Sequence, residues 1–286
     1  MKGVVDLAFL RTGHANAGLE VTTWQALRAK KIDELLRKPS RPEFYTILHI
    51  TEGRALHEID FQPHALRHHD SIFICKGQVH RFDLRSRFDA IMVIFTEDFL
   101  LRHGQRVLTL ADNRLFNYHL HPPVLDRSVA RSEGLTPLFE ALHDEYVRTG
   151  DRSPAVLHSW LELLLLKAER GKPETPVARI TGRDYAEFLR FTNLVETDHV
   201  RTRRAEHYAE RMGCSLKTLN ALCRRATGRT AKTFIDERTV LEIRRHMSVR
   251  DKSVKELAFE MGFEDASNLV KYVKRLTGRT PGELHP

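Results

Sequence analysis

Two short runs near the C-terminus carry hydrogen-bond donors among small side chains at helical spacing. One holds Lys217, Thr218, Asn220, Ala221 and Arg224, and the other holds Ala266, Ser267, Val270, Lys271 and Lys274. The donors suit the edges of base pairs. A lysine ammonium can reach guanine O6 and N7, and an asparagine carboxamide matches adenine N6 and N7. The small residues let a helix approach the floor of a major groove. The expected base readers are therefore Lys217, Thr218, Asn220, Ala221, Ser267, Val270 and Lys271. Arg224 and Lys274 lie a turn further on, followed by Arg229 and Arg279, and suit phosphates, which set register without carrying sequence information.

The elements that must position these residues are written twice. Thr227, Gly228, Arg229 and Thr230 read T-G-R-T, and Thr277, Gly278, Arg279 and Thr280 repeat it fifty positions later. Tyr208-Ala209 and Met212-Gly213 answer to Leu257-Ala258 and Met261-Gly262. The glycine-to-glycine gap is 15 residues in the first copy and 16 in the second. Each copy reads as a short helix, a corner closed by glycine, and a second helix. Ser215 or Asp265 caps that second helix, and Gly228 or Gly278 ends it.

The expected recognition helices are therefore about residues 215–227 and 265–277, within units of about 204–228 and 253–278. Leu216, Leu219, Leu222 and Cys223 form the apolar stripe of the first, and Leu269, Tyr272, Val273 and Leu276 that of the second. Residues 231–247 form one long helix between the units, with Phe234, Ile235, Val240, Leu241 and Ile243 as apolar positions. At about 1.5 Å per residue it spans roughly 25 Å. That length can hold two readers about one DNA turn apart, roughly 34 Å, in successive major grooves.

Bulk properties agree. The chain has 286 residues and a formal net charge of +8. Residues 182–286 carry 21 Lys+Arg against 15 Asp+Glu, so most of the excess sits on little more than a third of the chain. A polyanion partner follows naturally. Mean hydropathy is −0.40, and the most apolar stretch, residues 161–166, already contains Glu162. No membrane span and no signal peptide are expected. Three cysteines without a CxxC pair argue against a disulfide framework. The expected location is the cytoplasm.

The first half reads as β-rich. Residues 44–51 (F-Y-T-I-L-H-I-T) form a β-branched and aromatic run ended by Glu52-Gly53, a turn signal, with residues 55–61 as the hairpin partner. Residues 71–75 and 90–96 are further short strands, which together suggest a small barrel or sandwich. Leu135, Leu138, Phe139, Leu142 and Tyr146 then recur at helical spacing, with Gly150 past the end. Asp151, Ser153 and Pro154 start a second helix, with Ser153 as its cap, and Leu157, Leu161, Leu164 and Leu165 form its apolar face. That face is richer in leucine than a helix lying on a small barrel needs and reads as an intersubunit surface. Residues 171–181, with two prolines and no periodicity, read as a linker.

These residues resemble the AraC/XylS family of bacterial transcription regulators. The likeness is carried by Glu256-Leu257-Ala258, Met261-Gly262-Phe263, Ser267, Leu269, Lys274-Arg275, Gly278 and Thr280-Pro281, and by residues 234–247, which resemble the family's linker helix. Asn268-Leu269 stands where the family usually has two aromatics, Val273 where it has Phe, and Ala221 where it often has Arg. Residues 44–50, Gly53, 57–61 and Gly77-Gln78-Val79-His80 resemble the family's cupin-type sensory domain.

The resemblance implies an α+β multidomain chain. A cupin-like β-barrel occupies residues 1–130, a helical dimerisation element 131–170, a linker 171–181, and an all-α DNA-binding domain with two helix-turn-helix units 182–286. It implies a dimeric regulator of promoter or operator DNA, with a small-molecule effector and RNA polymerase as further partners, associated with the nucleoid when bound. His49, His57 and His80 are the candidates to line the effector pocket. Only His80 matches a cupin metal-ligand position. His64, His68, His69, His119 and His121 read as surface histidines, so no metal, no cofactor and no enzymatic activity are expected. The alternatives are a metal-dependent cupin enzyme with a helical appendage and a nonspecific nucleic-acid architectural protein.

Overall fold

The computed structural model describes residues 18–31, 33–103, 113–148, 153–173, 182–249 and 252–284. The chain divides between Pro173 and Glu174 into two compact units.

The first unit is built on an antiparallel sheet in the order β1-β6-β2-β4-β7, with β3 and β5 also pairing β2. The strands are β1 (Leu19–Thr23), β2 (Tyr45–Ile59), β3 (Gln62–Arg67), β4 (Ser71–Ile74), β5 (His80–Phe82), β6 (Arg87–Phe95) and β7 (Val124–Leu125). Helices α1 (Trp24–Ala29) and α2 (Asp33–Arg37) follow β1, and α3 (Glu97–His103) follows β6.

Residues 44–61 are not the expected hairpin. Tyr45–Ile59 is one strand that runs through the turn signal at Glu52-Gly53, and a bulge just before it, at Thr51, shifts the register against β6 between Ile50 and Glu52. Gly53 has φ +73, and a Cβ there would stand 2.2 Å from the Arg87 carbonyl oxygen, so glycine lets the paired strands close. The bulge also switches the alternation. Leu48 and Ile50 face the sheet's inner core before it, and Ala55 and Ile59 face that core after it. The true hairpin joins β2 to β3 through Asp60 and Phe61, both at positive φ. Asp60 is held there by its carboxylate, which accepts from Gln78 Nε2 at 2.7 Å and from the Val79 amide at 3.1 Å.

Helices α4 (Arg127–Ser132), α5 (Leu135–Val147) and α6 (Pro154–Gly171) cover the other face. Ser153 caps α6 ahead of Pro154 as the sequence requires, while Gly150 and Asp151 lie outside the described residues. The leucine stripe of α6 is not an intersubunit surface. Leu157, Leu161, Leu164 and Leu165 are fully buried in one core with Ile47, Phe73, Val93 and Phe139. The sheet has two apolar faces, and the second needs this cover. The described part of the expected linker, residues 171–173, belongs to the end of α6. Lys172 is buried there and its Nζ donates to the Pro122 carbonyl at 2.9 Å.

The second unit is helical: α7 (Arg183–Asp198), α8 (Ala205–Arg211), α9 (Leu216–Thr227), α10 (Ala231–Val249), α11 (Val254–Glu260) and α12 (Ala266–Thr277), closed by a 3-10 turn at Pro281–Leu284. Phe188 and Phe191 of α7 pack on Phe234 of α10 with centroids 5.6 and 5.5 Å apart. Ile243 of α10 joins Leu257, Ala258, Met261, Leu269 and Val273 in a second cluster. Thus α10 contributes to both cores. Val240 and Leu241, expected apolar positions, are only half-buried. Arg238, Glu242 and Arg245 are buried instead, with Arg238 paired to Glu196 at 2.7 Å and to Glu242 at 2.9 Å. Burial of these charges is compatible with folding because they are paired.

Candidate nucleic-acid interface and effector site

Each recognition helix is held by the cap its sequence announces. Ser215 accepts the Thr218 amide at 3.1 Å, and Asp265 accepts the Asn268 amide at 2.7 Å. Gly228 and Gly278 both end their helices at φ +74, with their amides bonded to the carbonyls of Arg224 and Lys274. The T-G-R-T echo is a repeated hydrogen-bond device. Thr227 and Thr277 each donate to the carbonyl four residues back, and each accepts the amide of the following arginine. Thr230 then caps α10 by accepting the Thr233 amide, while Thr280 opens the 3-10 turn through Glu283.

The inner stripes follow from this. Leu219, Leu222, Cys223 and Ala226 are buried in α9, and Leu269 and Val273 in α12. Burial pushes the Cys223 thiol up to about 12, so it is an inert core residue. Leu216 and Tyr272 are only half-buried. Leu276 is 39% exposed, against expectation, because the core cluster it was to join ends at Val273.

The outer faces align across the copies. Lys217, Ala221 and Arg224 stand at i, i+4 and i+7 on α9, and Ser267, Lys271 and Lys274 stand at the same intervals on α12. Lys217, Thr218, Arg224, Ser267, Lys271 and Lys274 are exposed, and Ala221 is half-buried between them. Each helix therefore presents one stripe ending in a cation.

Asn220 and Val270 depart from the expectation. They occupy equivalent positions, about 100° round the helix from Ala221 and Lys271, and both are half-buried. Asn220 Oδ1 accepts the Ala231 amide at 3.0 Å, so that oxygen serves the first turn of α10. The apolar Val270 stands where the second copy has no such amide to cap. Arg229 and Arg279 are exposed beyond the helix ends, with Arg229 paired to Glu237 at 2.6 Å. Such an exposed pair is weak enough to yield to a phosphate.

The three candidate pocket histidines divide. His49 faces the helical layer, not the inside of the sheet. Its Nδ1 lies 2.9 Å from Ser71 Oγ and its Nε2 3.0 Å from Thr136 Oγ1, and its ring stacks on Phe139 at 4.4 Å. The bulge explains the error, because His49 and His57 have the same parity but lie on opposite sides of it.

His57 and His80 do share the inner face. Their Nε2 and Nδ1 are 3.2 Å apart, and Ser40 Oγ lies 3.2 Å from His80 Nε2. Burial lowers both, His80 to about 4 and His57 well below the ordinary histidine value, so both rings are neutral. His57 Nδ1 and Thr46 Oγ1 are buried polar atoms with no hydrogen-bond partner among the described residues. Thr46 lies on the same strand face as Leu48 and Ile50. Trp24 and Phe82, stacked at 4.8 Å, complete an aromatic wall. Among the described residues, no group of three or more His, Cys, Asp or Glu side chains could hold a metal ion. No helix among them is long and apolar enough to cross a membrane.

The model of the AraC-like ligand binding domain matches residues 26–165, and that of a helix-turn-helix domain matches residues 208–285. No curated protein matches the chain. Among solved structures, wild-type ToxT from Vibrio cholerae strain SCE256, bound to an unsaturated fatty acid, is 15% identical, with 94% of this chain and 95% of that chain covered and a TM-score of 0.45. ToxT from Vibrio cholerae O395 is 13% identical, with 93% and 95% covered and a TM-score of 0.47. The AraC-like transcriptional activator CuxR is 13% identical, with 73% and 70% covered and a TM-score of 0.33. The two family models fall on the two units found in the fold, and together they show that the chain belongs to the AraC family: it is a helix-turn-helix, DNA-binding transcription regulator with an N-terminal ligand-binding domain.

Proposed function

We propose that this regulator reads two half-sites of one operator with α9 and α12, in successive major grooves, as an effector-responsive dimer. The observation that carries the reading is the aligned pair of exposed stripes, Lys217/Ala221/Arg224 and Ser267/Lys271/Lys274, on the second helix of each unit. Lys217, Thr218, Ala221, Ser267 and Lys271 face base edges in this reading, while Arg224, Lys274, Arg229 and Arg279 take phosphates. The stripes differ in chemistry, so the half-sites differ in sequence.

The effector enters the inner face of the sheet, where His57 Nδ1 and Thr46 Oγ1 have no partner among the described residues beside an aromatic wall. A neutral or weakly polar molecule that satisfies them suits two uncharged partners, a hydroxyl and a neutral imidazole. It acts by binding the DNA-competent and incompetent arrangements unequally. Dimerisation uses the outer side of α5–α6, where Val156, Leu163 and Leu166 are 41, 41 and 46% exposed. The protein works in the cytoplasm, on the nucleoid when bound, contacts RNA polymerase at its promoters, and catalyses no reaction.

The reading is tested by selecting duplexes from a random pool at moderate salt and footprinting the winner. Enrichment of a two-part site with half-site centres about one helical turn apart is expected. Equal retention of selected and random duplexes would overturn it and leave a nonspecific binder.

A further inference from the structure

The connection between α7 and α8, residues 199–204, touches both helix-turn-helix units. It is fixed to the first by Asp198, which accepts from His207 Nε2 at 2.8 Å and from Arg211 at 2.6 Å, and by Tyr208, whose hydroxyl donates to the Thr202 carbonyl at 2.9 Å. It reaches the second through Val200, which packs against the cluster of Ile243, Leu257 and Met261. Arg203 reaches it too. Its guanidinium donates to the Met261 carbonyl at 2.7 Å and the Gly262 carbonyl at 3.0 Å, and lies 4.1 Å from the centroid of Phe263. A fork on two successive carbonyls fixes orientation as well as distance.

The corner that Arg203 grips is the one that aims α12. Gly262 has φ +65, and a Cβ there would stand 2.2 Å from the Val200 carbonyl oxygen, so the two backbones meet without room for a side chain. The matching corner of the first unit, Gly213, has nothing within 4 Å of such a Cβ. On its other side α12 is tied to α10, since the Tyr272 hydroxyl donates to Asp236 at 2.6 Å. Asp236 lies five residues after Ala231, whose amide is bonded to Asn220 of α9. Both recognition helices are thus referenced to the same end of α10.

We infer that Arg203 is a positioning residue for DNA reading. It locks the second recognition helix in phase with the first, so that the protein discriminates the spacing between half-sites as well as their sequence. This rests on the two-reader function proposed above.

The test uses the full-length protein and the selected duplex, with zero, one or two base pairs inserted between the half-sites. One inserted pair rotates the second half-site by about 35° and shifts it by about 3.4 Å. Wild-type affinity should fall about tenfold for one pair. In Arg203→Ala that penalty should shrink to about threefold or less, while affinity at the natural spacing falls only about threefold. Arg203→Lys keeps the charge but not the fork, so it should behave like the alanine variant and serves if that variant folds poorly. Arg204→Ala removes a neighbouring exposed charge and should leave the spacing penalty at its wild-type value. A penalty in both Arg203 variants within about twofold of wild type would overturn the clamp while leaving the two-reader function standing. Failure of the wild-type protein to select any two-part site would overturn both.

Discussion

Asn220 and Ala231 are joined by a hydrogen bond of 3.0 Å, in which a recognition-helix carboxamide receives the first amide of the next helix. The bond removes a donor–acceptor side chain from the groove and spends it on the protein. Asn220→Ala should therefore cost about 1 kcal/mol of stability in the helical unit, the usual worth of a helix cap. It should leave base preference in the first half-site unchanged. A urea titration followed by circular dichroism checks the first statement, and a mutated-operator series the second. Loss of discrimination at a single adenine would return Asn220 to the base readers.

Lys217 and Lys271 carry the opposite expectation. Lys217→Ala and Lys271→Ala should each cost about 1–3 kcal/mol on the selected site and relax preference at one or two base pairs. Arg224→Ala should weaken selected and random duplexes alike and reduce the salt slope by about one. Anisotropy titrations across a salt series separate the two classes. Equal weakening of all sequences by Lys271→Ala would move that residue to the phosphates.

Much of the helical unit was legible because local rules and tertiary structure agree there. Ser215, Asp265, Gly228 and Gly278 act as caps and stops in the fold just as their types suggest. The sheet was less legible. Glu52-Gly53 has the composition of a turn, but both residues pair with Asp89 and Phe88 of β6, and the strand runs on past a bulge at Thr51. That one shift put His49 on the wrong face. The leucines of α6 are covered by the sheet, and a sequence shows how apolar a helix face is, not what covers it. The partner of Asn220, the Ala231 amide, belongs to the following helix, so the spacing within α9 gives no hint of it. The buried group around Arg238, Glu196 and Glu242 gave no signal, since charged residues at helical spacing ordinarily mark a solvated face. Arg203 gave none either, because its partners are backbone carbonyls 58 and 59 residues away.

Gly262 and Gly213 should respond differently to the same substitution. Both have positive φ, at +65 and +68, but only Gly262 abuts another backbone. Gly213→Ala should cost about 1 kcal/mol for the strained conformation alone. Gly262→Ala must also displace the Val200 carbonyl and should cost about 2–4 kcal/mol. Far-UV circular dichroism during urea unfolding measures both. Equal losses would mean that the corner moves away from residues 199–204 without penalty.

The neutral histidines of the first unit set a pH dependence. His80 is lowered to about 4 and His49 to about 3, from an unfolded value near 6.5. The unfolded chain therefore binds more protons between these values, so stability is greatest above pH 6.5 and falls as the pH drops toward 4. Each histidine contributes up to about 1.4 kcal/mol per pH unit in that window. Both tryptophans, Trp24 and Trp160, lie in this unit, so fluorescence follows its unfolding separately. A pH-independent midpoint between 4 and 6.5 would contradict the burial of these rings as neutral groups.

The outer face of α6 offers the last check. Leu163→Lys combined with Leu166→Lys should convert a dimer to a monomer in sedimentation velocity while leaving the tryptophan-detected unfolding free energy, compared at dilution where both proteins are monomeric, within about 0.5 kcal/mol, as expected for surface positions. An unchanged sedimentation coefficient would place the dimer contact elsewhere.

Because Phe234 belongs to an aromatic cluster and Ile243 to a separate, aliphatic one along the same α10, unfolding of the two helix-turn-helix units should be coupled. Loss of either core strips the helix on which the other is built. The duplicated sequence has thus lost the modularity of a repeat array. Cutting the chain before α11 would leave Ile243 and Met247 uncovered, and mutational damage to either copy should be felt as a single cooperative melting of both.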